Sequence, residues 1–306
     1  MFRMQKTIKL STFRVIKCLR VVFIIIFLSG CTPIPDHSFN IPCQAPKPKP
    51  LKNIRVALVL GTGGFRSIAQ LGVLEVLEKE GIPIDLIVGS SAGSLIGAVY
   101  CDKPHIDLIK NEILHIKKEN FLESGQRPIA GTAMLNFVTQ NLSAKNFEEL
   151  KIPLIVVATN LDTNEIELLR SGPIAPAVLA SSADPLIFKP VSLYGQTLID
   201  GAILDPVPVD VACLFKPKMI IAVNVGSRPP TTPIKNKKDL LSRCIDISFY
   251  KYSMCHAKEA DINLHPCFYN FDTYNDQHNQ EIYEHGKKCA YAAIADIKHK
   301  MKELGL

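Results

Sequence analysis

The chain has 306 residues, with 35 lysine or arginine residues against 29 aspartate or glutamate residues. Six of the basic residues and none of the acidic ones lie within residues 1–30, so the remaining chain balances at 29 against 29. This balance, together with the lack of a basic stripe interleaved with aromatic residues, argues against a nucleic-acid partner. The remainder is long enough to bury the core of one large α/β domain.

Residues 1–30 are predicted to be a lipoprotein signal peptide. A basic start is followed by an apolar run over residues 21–30, which is about half of the roughly 20 residues that a membrane-spanning helix needs. The run ends in Leu28-Ser29-Gly30-Cys31, which resembles the lipobox of bacterial lipoproteins. That resemblance implies cleavage before Cys31 and attachment of lipid to its sulfur. An ordinary secretory signal with an incidental cysteine is the alternative.

The lipobox resemblance also implies a location. A lipidated Cys31 would make the membrane a partner of the chain and anchor it in the bacterial cell envelope. The next residue is Thr32, whereas an aspartate at that position is known to retain lipoproteins in the inner membrane. We therefore expect the outer membrane, with the protein facing the periplasm.

Residues 31–53 are predicted to be a tether, and residues 54–306 the domain that it carries. The tether is rich in proline, which favours extended polyproline II structure and offers little surface to bury. At about 3.1 Å per residue its greatest reach is roughly 70 Å. Such a spacer would let the domain rest on a bilayer or stand away from it.

Cysteine usage predicts neither a metal site nor a cofactor site. No C-x-x-C spacing occurs, and the cysteines and histidines of residues 255–256 and 265–267 make a poor zinc pattern. Seven cysteines follow Cys31, an odd number that cannot pair completely within the chain. In an oxidising compartment one or two disulfides can form among the last four, which are Cys244, Cys255, Cys267 and Cys289.

From Arg55 onwards, strand patterns alternate with helix patterns. Strands are predicted over residues 55–60, 84–88, 153–159, 165–170 and 219–225, and helices over 68–80, 92–100, 104–118 and 281–304. In the third helix, the isoleucines at 106, 109, 113 and 116 recur at helical spacing and predict a buried face. This alternation predicts an α/β fold with a mostly parallel central sheet sandwiched by helices.

Two glycine-rich motifs follow the first two strands. Gly61-Thr62-Gly63-Gly64-Phe65-Arg66-Ser67 follows the first, and Gly89-Ser90-Ser91-Ala92-Gly93 follows the second. The second reads G-x-S-x-G, which is typical of a serine on a tight turn between strand and helix, where larger flanking residues would clash. The first places backbone N–H groups at the start of a helix. An exposed serine and a loop of donors are what the hydrolysis of an acyl ester needs.

Each motif has another interpretation. The first could be a phosphate-binding loop, but Arg66 stands where a dinucleotide fingerprint needs its third glycine, and a Walker lysine is missing. The second could belong to an α/β-hydrolase with a Ser-Asp-His triad, since histidines lie downstream. That class usually also has a His-Gly-Gly-Gly segment, which this chain lacks.

A third segment, Thr197-Leu198-Ile199-Asp200-Gly201-Ala202, places an aspartate at the end of a short predicted strand. Together the three segments resemble the patatin-like phospholipase family, and the likeness covers most of residues 55–225. Residues 179–191 and 205–208 are also similar to blocks of that family. The family combines a G-G-G-x-R/K-G oxyanion loop, a G-x-S-x-G nucleophile and a D-G-A/G aspartate in a Ser–Asp dyad without histidine.

The resemblance implies a role for each of five residues. Ser91 would be the nucleophile and Asp200 its catalytic partner. Gly63 and Gly64 would form the oxyanion hole, and Arg66 would be the basic residue of that loop. A patatin-like fold and a carboxylic-ester hydrolase without a cofactor are implied as well.

Three positions depart from the family pattern. Thr62 replaces the first glycine of the loop and Ser67 its last, while Asp184 stands where the family usually has an apolar or small residue. Thr62 is tolerable if its φ angle is negative. Ser67 would be strained if its φ angle were positive, although it could cap the next helix. Asp184 is expected to be an exposed loop acid.

The leading hypothesis is a lipid-anchored serine hydrolase that cleaves phospholipid or lysophospholipid acyl esters through an acyl-enzyme. The same dyad could transfer the acyl group to another acceptor, because the acyl-enzyme is common to both reactions. The alternative from another class is a non-catalytic envelope lipoprotein that keeps the fold. Ser91 and Asp200 side chains more than about 6 Å apart, beyond hydrogen-bond reach, would favour that alternative.

Overall fold

The computed structural model describes residues 37–38, 44–124, 127–229, 231–268, 271 and 273–306. The predicted signal peptide and Cys31 lie outside the described residues, so their roles stay predictions. Within the described part of the chain, no helix is both long enough and apolar enough to cross a bilayer.

One sheet of nine strands organises the described residues. The strands are β1 (His37–Ser38), β2 (Val56–Leu60), β3 (Leu86–Ser90), β4 (Leu154–Asn160), β5 (Glu165–Leu169), β6 (Val191–Leu193), β7 (Gln196–Asp200), β8 (Met219–Val223) and β9 (Ile262–Leu264). They are ordered β1-β6-β7-β4-β3-β2-β8-β9, with β5 paired to β4. Strands β4, β3, β2, β8 and β9 run parallel, whereas β5 and β7 run antiparallel to β4. The predicted mostly parallel central sheet is confirmed.

Eight α-helices lie among the described residues. They are α1 (Ile68–Lys79), α2 (Ala92–Asp102), α3 (Ile106–Leu114), α4 (Thr132–Asn141), α5 (Ile174–Ser181), α6 (Val209–Cys213), α7 (Lys237–His256) and α8 (Asn279–Glu303). Alternate side chains of each central strand face opposite sides, so Leu58 belongs to the cluster of buried residues that includes α1, α2 and α8, and Val59 to the one that includes α6. Both faces of the sheet are therefore covered, as the continuous apolar strands predicted.

Helix α3 is shorter than predicted. The four isoleucines of the predicted helix are all buried, including Ile116 beyond its observed end, which confirms the predicted core face. The helix ends at Leu114 rather than at Lys118, because the side-chain amide of Asn279 donates hydrogen bonds to the carbonyls of Leu114 and Ile116. These carbonyls gain a partner from α8 in place of a further helical turn.

The described part of the predicted tether contacts the domain. Strand β1 pairs in parallel with β6. Further along, the Ser171 hydroxyl donates to the carbonyl of Pro46 at 2.6 Å, and Arg170 donates to the carbonyl of Lys49. Leu51 packs against the buried residues beneath β2. Residues 37–38 and 46–51, which the proline content predicts to be part of a tether, therefore pack against the domain.

The described cysteines are free thiols, so the disulfides allowed by the cysteine count are not formed among them. They are Cys101, Cys213, Cys244, Cys255, Cys267 and Cys289. Cys43 lies outside the described residues. Burial raises the pKa of the Cys101 thiol well above its ordinary value, which makes this cysteine a core residue rather than a reactive one.

Candidate active site

Two strands meet end to end on the same edge of β4. Strand β3 pairs in parallel with the first part of β4, through Val157, whereas β7 pairs antiparallel with its last part, from Ala158. The other edge of β4 is occupied by β5 over both parts. The carboxyl ends of β3 and β7 therefore point at each other. This register brings together Ser91, directly after β3, and Asp200, the last residue of β7.

Ser91 lies on a tight turn between β3 and α2, with φ 53° and ψ −128°. This conformation is unfavourable for a residue with a side chain, and it is typical of sites where the surrounding structure holds a functional residue in place. A Cβ atom at Gly89 would lie 2.7 Å from the Cα atom of Ser94, and one at Gly93 would collide with the carbonyl of Leu60. The predicted need for two flanking glycines is confirmed, and the reason is close backbone approach.

The Ser91 hydroxyl donates a hydrogen bond to Oδ2 of Asp200 at 2.8 Å. The other carboxylate oxygen, Oδ1, accepts from the backbone N–H of Ala202 at 2.8 Å. Both side chains are buried, and loss of solvent raises the pKa of Asp200 to about 7 against the hydrogen bonds that lower it. A carboxylate with this pKa is a much stronger base than a solvated aspartate.

The turn after Asp200 also requires a glycine. A Cβ atom at Gly201 would collide with the carbonyl of Val157 and would lie 2.8 Å from the hydroxyl of Ser90. The backbone of Asp200 is fixed on both sides, since its N–H donates to the carbonyl of Ala183 and its carbonyl accepts from Thr159 Oγ1. The aspartate is thus held by backbone contacts, which leaves its carboxylate for Ser91 and Ala202.

Two serines that hold the turn were missed in the sequence. The N–H of Ser91 donates to the hydroxyl of Ser181 at 2.9 Å, and that hydroxyl donates to the carbonyl of Val157 at 2.6 Å. The carbonyl of Ser91 accepts from both the N–H and the hydroxyl of Ser94. Ser181 and Ser94 therefore fix both backbone groups of Ser91. The signal available in the sequence was one serine within each of two mostly apolar helices.

The loop after β2 lies against this turn. Its Thr62 N–H donates to the carbonyl of Pro206, and its Phe65 N–H donates to the carbonyl of Thr273. Between them, the N–H groups of Gly63 and Gly64 have no hydrogen-bond acceptor among the residues that the structure describes. Two neighbouring N–H groups left in this way at the start of a 3₁₀ turn and a helix suit the binding of an oxyanion.

The two departures in this loop cause no backbone strain. Ser67 has φ −65°, and Thr62 is not among the described residues with a positive φ angle. Ser67 stands at the N-cap of α1 as predicted, but its hydroxyl makes no capping hydrogen bond. Arg66 is half-buried in the 3₁₀ turn Gly64–Ser67.

Asp184 is part of the site's surroundings rather than an exposed loop acid. It is half-buried, and its carboxylate accepts hydrogen bonds from the N–H of Leu186 at 2.9 Å and from the hydroxyl of Tyr274 at 2.6 Å. Its negative charge contributes to the raised pKa of Asp200. No motif in the sequence around Tyr274 indicates a role for it.

No histidine of the described chain replaces Asp200 in the dyad. His256 pairs with Asp205, with 2.9 Å between Nδ1 and Oδ1. His265 contacts the carbonyl of Asn224 instead. Within the described residues, the Ser91 hydroxyl has Asp200 as its hydrogen-bond acceptor. The geometry therefore favours a dyad over a Ser-Asp-His triad.

Known proteins have similar sequences over the region that contains Ser91 and Asp200. The family model described as patatin-like phospholipase matches residues 58–213. A patatin-like phospholipase domain-containing protein of Caenorhabditis elegans is 35% identical over 185 residues, covering 56% of this chain and 14% of that protein. Lysophospholipase NTE1 of Debaryomyces hansenii is 33% identical over 203 residues, covering 63% and 13%. The chain thus matches only a small part of these relatives' length.

A solved structure has the same fold. VipD from Legionella pneumophila superposes with a TM-score of 0.56 at 14% sequence identity, covering 80% of this chain and 67% of that chain. The match covers a larger share of the chain than residues 58–213, which the family model matches. The predicted patatin-like architecture is confirmed.

Proposed function

Since this chain belongs to the patatin-like phospholipase family, we propose that it is a lipid-hydrolysing enzyme that cleaves phospholipid or lysophospholipid acyl esters. The observation that carries the proposal is the 2.8 Å hydrogen bond from the Ser91 hydroxyl to Asp200. A serine hydroxyl needs a base within hydrogen-bond reach to act as a nucleophile. A fold retained for binding alone would not require this contact at a strained turn.

In the first step, Ser91 Oγ attacks the ester carbonyl carbon while its proton passes to Oδ2 of Asp200. The carbonyl oxygen becomes an oxyanion and accepts hydrogen bonds from the N–H groups of Gly63 and Gly64. Loss of one such donor typically raises the barrier by about 3–4 kcal/mol. The carbon–oxygen bond to the alcohol then breaks, and Asp200 returns its proton to the departing oxygen. The acyl group remains on Ser91.

In the second step, water takes the place of the alcohol. Asp200 removes a proton from the water as it attacks the acyl-enzyme, and the same oxyanion hole serves again. Collapse of the intermediate returns the proton to Ser91 Oγ and releases the fatty acid.

Exposed apolar side chains near the dyad suit the binding of an acyl chain. Leu186 and Ile203 belong to segments that contact the dyad, and they are 64% and 40% exposed.

The raised pKa of Asp200 predicts the pH dependence of hydrolysis. Asp200 must be ionised to accept the serine proton, and its pKa is about 7. We expect kcat/KM to fall about tenfold for each pH unit below 7 and to level off above it, since kcat/KM reports the ionisation of the free enzyme. The measurement is a pH profile with a soluble ester. A profile that is flat from pH 5 to 8 would contradict a base of this pKa.

Lipid anchoring through Cys31 is part of the proposal. The described strand β1 begins six residues after Cys31, a distance of about 20 Å at full extension. Because β1 and residues 46–51 contact the domain, an anchored domain would stay near the envelope membrane instead of standing far from it. We expect palmitate labelling of the wild type and its loss in Cys31→Ser.

Covalent labelling tests the nucleophile directly. A fluorophosphonate probe reacts with activated serines, so we expect it to label the wild type and not Ser91→Ala. Ser90→Ala is the matched control, because Ser90 is the adjacent buried serine at the end of β3. The control should keep its label, and label on Ser91→Ala would place the nucleophile elsewhere. A folded wild type without label would favour the non-catalytic alternative.

A further inference from the structure

Helix α7 is well formed but covered by little of the protein. It starts with a capping hydrogen bond from the N–H of Asp239 to the side chain of Asn236. Its carboxyl-terminal half is held by Tyr252, which donates to the carbonyl of Leu204, and by the His256–Asp205 pair. Its first eleven residues expose four large apolar side chains by 40–47%, namely Leu240, Leu241, Ile245 and Ile247. This exposure is unusual for a helix of a protein that only needs to be soluble.

Basic residues accompany these apolar side chains. Residues 228–251 hold six lysine or arginine residues and two aspartates, whereas the chain after residue 30 is balanced overall. On α7, Leu240, Arg243, Ile247 and Lys251 lie at intervals of three or four residues and so share one face. A helix with apolar and cationic side chains on its exposed surface is typical of one that lies in a membrane interface.

An open groove lies beside this face. Its volume is about 420 Å³, and Arg228, Arg243 and Lys251 line it together with Ile247 and Tyr250. Arg243 is oriented by hydrogen bonds to the carbonyl and the hydroxyl of Thr232, at 3.2 and 3.1 Å. Three cations, an isoleucine and a tyrosine ring around one groove fit a phosphate that carries an acyl-bearing group.

Helix α7 is connected to the end of the sheet at which the dyad lies. It follows the carboxyl end of β8 in the chain, and Ser91 and the oxyanion loop lie at the carboxyl ends of the neighbouring strands. Val225, just after β8, is close enough to obstruct a Cβ atom at Gly63, and Ser253 of α7 is similarly close to Gly226. A bilayer in contact with α7 would therefore lie at the edge of the domain that holds the dyad.

We propose that α7 and the adjoining groove dock the domain on an anionic lipid bilayer, with Leu240, Leu241 and Ile247 entering the interface and Arg228, Arg243 and Lys251 binding lipid phosphate. The choice of a lipid surface rests on the proposed function, but docking requires no turnover. The face differs from the predicted anchor at Cys31. It would set the orientation of the active site towards the bilayer.

The test uses the fact that the chain contains no tryptophan. Leu240→Trp in full-length Ser91→Ala protein creates a single reporter and leaves the vesicles intact. With vesicles of phosphatidylcholine and phosphatidylglycerol, we expect its emission to shift to the blue and to be quenched by brominated acyl chains. The control Leu214→Trp, 66% exposed in the loop before β8 at the opposite edge of the sheet, should do neither.

A second pair of variants tests the charges. Arg243→Gln with Lys251→Gln should weaken the vesicle response about 25-fold, at about fivefold for each charge removed near an anionic surface. The control is Lys151→Gln with Lys218→Gln, which removes the same charge from exposed positions that precede β4 and β8. This double variant should change the vesicle response little.

Other outcomes would overturn the docking proposal. An unshifted Leu240→Trp emission would do so, and wild-type hydrolysis of a soluble ester would show that the proposed function survives. A blue shift that grows with protein concentration in the absence of vesicles would mean that the face binds a second copy of the chain. Equal shifts at positions 240 and 214 would mean unspecific adsorption.

Discussion

Replacement of Asp200 by asparagine is expected to lower kcat by about 10⁴-fold. Asparagine has nearly the same shape and can still accept a hydrogen bond from Ser91, but it cannot take up the serine proton. The oxyanion loop and the binding surface remain, so a small residual rate is expected. The measurement is kcat with a soluble ester for the wild type and the variant. Turnover that stayed intact would exclude Asp200 as the base and direct the search to a histidine.

The same substitution is expected to stabilise the fold at neutral and alkaline pH. Burial raises the pKa of Asp200 from 3.8 to about 7, so between these values the folded state binds the proton more tightly than the unfolded state. The wild type therefore loses stability as pH rises through this window, by about 1.4 kcal/mol for each unit of pKa difference. Asparagine carries no such penalty.

Urea unfolding at two pH values separates a catalytic from a structural role. We expect Asp200→Asn to raise the free energy of unfolding more at pH 8 than at pH 5, by a few kcal/mol at most. Asp296→Asn is the control, because Asp296 is exposed on α8 and should alter neither activity nor the pH dependence. If Asp200→Asn destabilised the protein at both pH values, its carboxylate would serve the fold instead of the reaction.

Local features of the site could be predicted from the sequence. Each of the two glycine-rich turns directly follows an apolar strand, and the spacing of Gly89, Ser91 and Gly93 depends only on the close approach of neighbouring backbone. The strands of the central sheet are buried on both faces, and continuous apolar runs in the sequence indicate such strands. For these elements, pattern and structure agree within a few residues.

Features that depend on the long-range register could not be derived in this way. Ser91 and Asp200 are 109 residues apart, and they meet because β7 runs antiparallel along the part of the same β4 edge that β3 leaves free. Only the family resemblance implied their pairing. Helix α7 was missed because its apolar residues face solvent, so they form no buried stripe at helical spacing. Ser181 acts through a hydrogen bond that no spacing indicates.

Replacement of Gly64 by alanine is expected to lower kcat by 10²- to 10³-fold, roughly 2.7–4 kcal/mol in the barrier. Gly64 has φ 56°, and a Cβ atom there would collide with the carbonyl of Thr273, which accepts the N–H of the next residue. Relief of this collision requires the loop to move, and the N–H groups of Gly63 and Gly64 would lose their aim at the oxyanion. KM should change much less than kcat, because the oxyanion exists only during the reaction.

Gly81→Ala is the matched control for backbone strain. Gly81 has φ 69° in the turn after α1, and a Cβ atom there would meet no atom within 4 Å. Both variants place an alanine in the left-handed backbone conformation, which should destabilise each by about 1 kcal/mol. Gly64→Ala should lose more stability, because its Cβ atom also collides with the carbonyl of Thr273. Only Gly64→Ala should lose activity, as measured by kcat and by the rate of fluorophosphonate labelling at equal folded fraction. Equal kcat values for the two variants would mean that the Gly63–Gly64 loop does not stabilise the oxyanion.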